Sequence, residues 1–406
     1  MQYCSFTLPN GLRIVYLPSG SNVAYCGFAI DAGTRDETKM QHGLAHFVEH
    51  TLFKGTKKRK ARHILNRMEN VGGELDASTS KEETLLYTVS LSEDVERAID
   101  LLADLVFNPQ FPAPELEKEK EVILDEINSC LDTPSEWIFD EFENLFFEGN
   151  ELGHNILGDA KSLGTFTQET CRLFTSRFYN PDNMVFFFYG NTPFRKILRL
   201  ADKYMQIENR PASVVDRKTP SFNSPKHVGI NKNLHQTHVV VGGKTWSVFD
   251  ERRTGLYLLN NILGGQGMNS RLNMSLREKH GLVYSVESEV ISYTDAGFFT
   301  VYFGCDRKSE SQCLSLTYKE LKRLRDNKLS TSQFAAAVKQ WKGQLGIMSE
   351  HGENLALGLG KSFLRFNKYD GLPEIYRKID ALTAGQLLEI ANEIYDEGRL
   401  WGLVVR

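Results

Sequence analysis

Two histidines bracket a glutamate in His46-Phe47-Val48-Glu49-His50, and these three residue types at this spacing could do metal chemistry. Around them, Leu44, Phe47, Val48, Thr51 and Leu52 recur at the interval of a helix. His46 and His50 are four apart, so their rings lie one turn from each other on one face. Glu49 sits at the edge of that face. Two imidazoles can ligate zinc, and a carboxylate beside them can serve as a base. The plainer alternative is a pair of surface or capping histidines, so the weight of the motif depends on the rest of the chain.

Catalytic zinc takes three protein ligands and keeps one position open. The candidate source of the third is the segment Pro114 to Ile127. Pro112 and Pro114 mark its start, and acids crowd its first turns, where a helix dipole favours them. Glu115, Glu117 and Glu121 read as a solvated face. Glu119 and Glu126 are seven apart and share a side. Glu126 stands between Ile123 and Ile127 and is expected to turn inward, where a carboxylate needs a partner such as a metal.

With these segments in view the chain resembles peptidase family M16, in its short form similar to mitochondrial processing peptidase subunits and their bacterial relatives. The resemblance runs through Phe6 to Ile14, Ala32 to Glu37 and Gly72 to Ser80. It continues in Tyr179 to Met184, Gly190-Asn191, Ser270 to Leu272 and Leu276 to Ser285. His-x-x-Glu-His is the inverzincin order. The resemblance implies one zinc per chain on His46, His50 and Glu126, with Glu49 as general base. It implies that Glu119 orients a ligand from behind. Arg277 and Tyr284 would reach the substrate near the metal, Tyr284 helping to hold the oxyanion and Arg277 gripping a carbonyl or carboxylate. Gly73, Asp76, Ala77, Ser78 and Thr79 would bind a peptide as an added strand. By themselves those residues read equally well as an ordinary edge strand or loop, and cobalt or manganese could occupy such a site in vitro.

What must position these groups is a chain of 406 residues, a length suited to two or three domains. With 48 basic and 52 acidic side chains the net charge is −4, which points to neither nucleic acid nor a membrane surface. No signal peptide and no transmembrane run are visible, so a cytoplasmic enzyme is expected. The six cysteines, Cys4, Cys26, Cys130, Cys171, Cys305 and Cys313, are scattered and read as reduced thiols, mostly in the core.

A polar, proline-rich stretch at 209–225 reads as a linker between a zinc-binding domain at 1–208 and a second domain at 226–406 without metal ligands. The linker is expected to let the halves shift. The halves look like a diverged repeat. His42-Gly43-Leu44 aligns with Thr254-Gly255-Leu256, which sets His46 against Leu258, Glu49 against Asn261 and His50 against Ile262. Strands and helices alternate without a βαβ rhythm, so each half is expected to be α+β, with helices on one face of a mostly antiparallel sheet. The resemblance implies two α/β-roll domains forming half of a clamshell.

Two other segments are read as unremarkable. Lys57-Lys58-Arg59-Lys60 is expected to be a solvated turn, and Leu263 to Ser270 a flexible glycine-rich loop without the ending of a phosphate loop. Because long relatives carry the zinc motif and the Arg/Tyr pair in opposite halves of a clamshell, this half-length chain is expected to form a homodimer. Arg277 and Tyr284 would then act in trans, or a heteromeric M16 partner would take the second place. The expected activity is endopeptidase action on peptides or unfolded segments in an enclosed chamber. The alternatives are narrow precursor processing and a non-catalytic scaffold.

Overall fold

The computed structural model describes residues 2–207 and 217–406. Residues 209–216 of the expected linker lie outside them. Two compact units emerge, and neither is one continuous segment. The first comprises Met1–Ser129, His154–Arg217 and Ile347–Gly371; the second comprises Cys130–Gly153, Lys218–Gly346 and Leu372–Arg406.

The first unit is built on six strands: β1 (Cys4–Thr7), β2 (Arg13–Pro18), β3 (Val23–Ile30), β4 (Glu74–Thr79), β5 (Thr84–Leu91) and β6 (Met184–Gly190). They lie in the order β1-β2-β6-β3-β5-β4. The pair β2–β6 is parallel and the other neighbours are antiparallel. β6 reads Met-Val-Phe-Phe-Phe-Tyr-Gly, an unbroken apolar run, because both faces of the central sheet are covered. β4 instead alternates exposed and half-buried residues, as an edge strand should.

Four helices matter here: α1 (Leu44–Leu52), α2 (Ala61–Glu69), α3 (Val95–Phe107) and α4 (Ala113–Asp132). Phe47 of α1 and Leu101 and Leu105 of α3 share a core with Phe28, Leu86 and Phe186 of the sheet. Each such side chain contributes about 1.5–3 kcal/mol by leaving water. The opposite face carries Val15, Ala29, Leu85 and Phe187, packed under Ala356, Leu359 and Phe363 of the helix Gly352–Phe366. Gly360 lets that helix lie close, since a Cβ there would stand 2.5 Å from the Phe187 ring.

The second unit repeats the plan with β7 (His227–Ile230), β8 (Gln236–Thr245), β9 (Val283–Ser292), β10 (Gly297–Asp306) and β11 (Leu400–Val405). Their order is β7-β11-β8-β10-β9, and only β7–β11 is parallel. The helices α5 (Pro134–Phe146) and α6 (Arg253–Gly264) cover opposite faces. Leu256, Leu259 and Leu263 of α6 pack on Val239, Val241 and Val301, while Phe142 and Phe146 of α5 pack on Val240, Phe298 and Trp401.

Both sheets are therefore mostly antiparallel, as expected, but helices cover both faces of each rather than one, because α5 and the helix Gly352–Phe366 bury the second face. The exchange of α5 and of Gly352–Phe366 between the units was not legible, because an amphipathic pattern reports an apolar face but not the sheet it will cover. The described end of the linker is held rather than loose. Arg217 donates to both Asp36 carboxylate oxygens at 2.8 Å, and Phe222 joins the core of the second unit. Among the described residues no helix is long and apolar enough to cross a membrane. All six cysteines are free, and Cys26, Cys171, Cys305 and Cys313 are buried.

Candidate metal centre

α1 carries the histidine motif, and its apolar side, Leu44, Phe47, Val48 and Leu52, is fully buried. Its start is unusual. Gly43, the N-cap, has φ +90°, and a Cβ there would stand 2.5 Å from the Leu157 carbonyl. The cap comes from Glu37, whose carboxylate accepts the Gly43 N–H at 2.9 Å and the Ala45 N–H at 2.7 Å. His154 Nε2 stands 3.1 Å from the same carboxylate, and its ring stacks on His42 with centroids 4.1 Å apart. Burial pushes the Glu37 carboxyl well above the usual range, against the pull of the two N–H groups and Lys81. The sequence marked Glu37 only as the end of a stretch that carries the family resemblance, and this role was not legible. An acid six residues ahead of an uncapped glycine was the available signal.

α4 lies across from α1 and presents Glu119 and Glu126. His46 Nε2 and His50 Nε2 each lie 3.8 Å from Glu126 Oε2. Among the described residues these three are the group whose ligand atoms could hold a metal, all within 4.8 Å of one another. Tetrahedral zinc with bonds of about 2.0–2.1 Å sets its ligand atoms roughly 3.4 Å apart, so the spacing fits with small adjustments. Glu126 does meet the histidines, but not for the reason expected from its neighbours. Its side chain is 43% exposed rather than turned inward, because Ile123 alone of its flanking isoleucines is fully buried.

Behind the histidines, His50 Nδ1 lies 2.9 Å from Glu119 Oε1, and Lys54 Nζ lies 2.5 Å from Glu119 Oε2. Glu119 thereby fixes the proton of His50 on Nδ1 and leaves Nε2 free to face Glu126. Burial would raise the Glu119 carboxyl, but His50 and Lys54 outweigh it and hold it below its ordinary value. His46 is pushed down to about 4, by burial first and by His50 second, so it is neutral and ready to ligate. Burial also lowers His50, yet Glu119, Glu49 and Glu126 carry it above the ordinary histidine value.

Glu49 is buried, and its Oε2 has no hydrogen-bond partner among the described residues. Burial raises its carboxyl, Asp76 and Glu126 add to that, and Thr79 and His50 oppose it. A raised carboxylate that faces the ligand cluster suits proton transfer near neutral pH. A cavity of about 290 Å³ opens beside it, walled by Phe53, Leu65, Met68 and Leu75.

β4 forms one edge of its sheet. Ala77 and Leu75 pack toward the α1 core, whereas Asp76 points to the other face, where the Tyr87 hydroxyl lies 3.1 Å from it. Gly73 precedes the strand, Ser78 is exposed and Thr79 lies alongside Glu49. Arg277 and Tyr284 occur in the second unit. Arg277 lies in the last turn of a π-helical segment, Asn273–Glu278, with its guanidinium 5.8 Å from the Tyr284 ring, and Tyr284 is 87% exposed.

Residues 13–160 match the family described as Insulinase (Peptidase family M16), and residues 165–341 match the Peptidase M16 inactive domain. The chain is 32% identical to YmxG, an uncharacterized zinc protease of Bacillus subtilis, over 401 residues, covering 98% of this chain and 97% of that relative. It is also 32% identical to an uncharacterized zinc protease of Rickettsia bellii, covering 96% and 94%. A solved structure described as a peptidase M16 inactive domain from Pseudomonas fluorescens superposes with TM-score 0.93 at 19% identity, covering 100% of this chain and 98% of that one. A protease from Helicobacter pylori superposes with TM-score 0.90 at 21% identity, covering 100% and 99%. At such identities the two structures speak for the fold.

Proposed function

Because this chain belongs to peptidase family M16, we propose that it is a zinc-dependent endopeptidase whose base is Glu49. The observation that carries this reading is the convergence of His46, His50 and Glu126 beside the buried carboxylate of Glu49, whose Oε2 has no hydrogen-bond partner among the described residues. Those three side chains would hold the zinc, which when bound would supply a Lewis acid to polarise the scissile carbonyl and acidify water.

The protein's own groups do the rest. A peptide laid along the β4 edge forms an added strand, which binds through its backbone and so tolerates many sequences. One apolar side chain enters the cavity of Phe53, Leu65, Met68 and Leu75. Glu49 takes a proton from the attacking water and returns it to the leaving nitrogen. Glu119 holds His50 in orientation throughout, with Lys54 securing Glu119.

The exposed Tyr284 hydroxyl donates to the negative charge developing on the carbonyl oxygen, and Arg277 grips the substrate. We assign both to a second copy of the chain in a cytoplasmic homodimer with two composite sites. Mixing inactive Glu49→Gln with inactive Tyr284→Phe chains then restores activity on subunit exchange. No recovery removes the trans arrangement.

The main test is hydrolysis of a quenched-fluorescent peptide library by wild type and Glu49→Gln, with zinc assayed in both. We expect zinc in both and cleavage by wild type alone, a loss on the order of a thousandfold. A wild type that holds no zinc, or holds zinc and cuts nothing, rules the reading out.

A further inference from the structure

We propose that the turn and helix start from Lys57 to Arg62 recruit acidic peptide segments, so that preferred substrates carry Asp or Glu near the bond that is cut. This rests on the peptidase reading above and adds a substrate class to it.

The segment was expected to be a solvated basic turn, and the structure divides it. Arg59 is spoken for: its guanidinium pairs with Asp100 and, at 2.6 Å, with Asp104, while the Thr56 hydroxyl accepts its backbone N–H. Lys57, Lys58, Lys60 and Arg62 are exposed, and none has a carboxylate within ion-pair distance among the described residues. Four uncompensated cations within six residues depart from the local habit of the chain, in which Lys54, Arg67 and Arg97 all have acidic partners. α2 begins at Ala61 with no side-chain cap and no acid in its first turn, so its dipole adds to the same positive field.

Place turns this charge into a proposal. Leu65, Met68 and Glu69 of α2 line the cavity that also touches Glu49 and His50. Arg62 precedes Leu65 by three residues and therefore lies on the same helix face, one turn farther from the cavity. Leu65 itself is 56% exposed and offers an apolar footing between them. On the far face of β4, beyond the cavity, the sign changes. Glu74 and Asp76 of β4 carry negative charge, and Glu353 reaches the Tyr87 hydroxyl shared with Asp76. Glu69 and Glu119 sit within the cavity wall, with Lys54 neutralising Glu119. A peptide on the β4 edge thus meets a field that runs from negative at the strand to positive at the α2 start. Acidic residues on the α2 side are attracted and lysines are repelled, an effect on encounter and on affinity that salt weakens.

The test uses the full chain as zinc-loaded Glu49→Gln, which binds without cutting. Two labelled short peptides differ only in carrying glutamates or lysines at the same positions, and binding is read by fluorescence anisotropy. The glutamate peptide is expected to bind tighter on the order of tenfold, and the difference should shrink as salt is raised to about 0.5 M. In the variant Lys57→Gln/Lys58→Gln/Lys60→Gln/Arg62→Gln the ratio should fall toward one. Equal binding, absent binding of both, or tighter binding of the lysine peptide overturns the proposal. A glutamate preference that survives in the quadruple variant overturns its assignment to this turn. Should that variant fail to fold, Arg62→Glu alone is expected to lower the ratio, and an unchanged ratio counts against the proposal. Cleavage by zinc-loaded wild type is scored separately. A glutamate preference without any cleavage would sink the peptidase reading and leave the binding inference standing.

Discussion

α1 with β4 in the first unit and α6 with β9 in the second occupy equivalent places in two similar sheets, yet their chemistry differs. On α1, His46 and Glu49 are buried polar groups, each with an atom left without a hydrogen-bond partner among the described residues. On α6, the aligned positions hold Leu258, buried in apolar surroundings, with Asn261 and Ile262. The neighbouring Asn260 donates to the Ser288 carbonyl of β9 at 2.8 Å, closing the helix onto its strand. At the aligned positions of the second unit no buried side-chain atom is left without a partner among the described residues. The first keeps two open valences on one helix, at His46 and Glu49, and buried open valences are costly unless something fills them. The lesson is that a repeated fold does not repeat a site: only on α1 do unpartnered polar atoms coincide with a cluster of possible metal ligands among the described residues.

That contrast can be sharpened by experiment. Glu119→Gln should weaken zinc binding by about 10–100-fold, because the amide no longer draws the His50 proton to Nδ1 with a full charge. Competition with a chromogenic chelator reads this, and unchanged affinity would show that Glu119 only fills space. Acid should release zinc from the first unit at an unusually high pH. His50 titrates above the ordinary histidine value, so protons compete for it early, whereas His46, near 4, stays neutral throughout. Affinity should fall about tenfold per pH unit once His50 protonates, as read by titration calorimetry.

Glu37→Gln tests how the first unit holds its helix. An amide presents its NH₂ to one of the two N–H donors that the carboxylate now accepts, so one buried donor loses its partner. Stability should drop by about 1–3 kcal/mol, seen as a lower Tm. The smallest effect is expected from grafting the motif into the second unit. Leu258→His/Asn261→Glu/Ile262→His should leave zinc at one per chain by elemental analysis, because the graft adds no counterparts of Glu126 and Glu119. A second zinc would mean that the helix alone makes the site.

Much of this was readable beforehand. His46, Glu49 and His50 lie on one short helix, where spacing dictates geometry, and Glu119 and Glu126 repeat at seven along another. The small, polar residues of β4 allowed an edge strand or a loop, and the structure makes it an edge strand. The exposure of Glu126 was misjudged, since burial depends on what covers a helix and not on its flanking isoleucines alone. The cap from Glu37 was missed because its partners lie across a loop. The separation of Arg59 from its basic neighbours was missed because Asp100 and Asp104 are distant in sequence.

The sequence by itself determined the ligand types, the repeat and the α+β plan, since these rest on local spacing and on apolar periodicity, which every segment carries with it. Only the tertiary structure decided which sheet receives α5 and which receives the helix Gly352–Phe366, what caps α1, and which cations remain uncompensated. Those outcomes depend on pairings between residues far apart in the chain, and such pairings exist only once the chain has closed on itself.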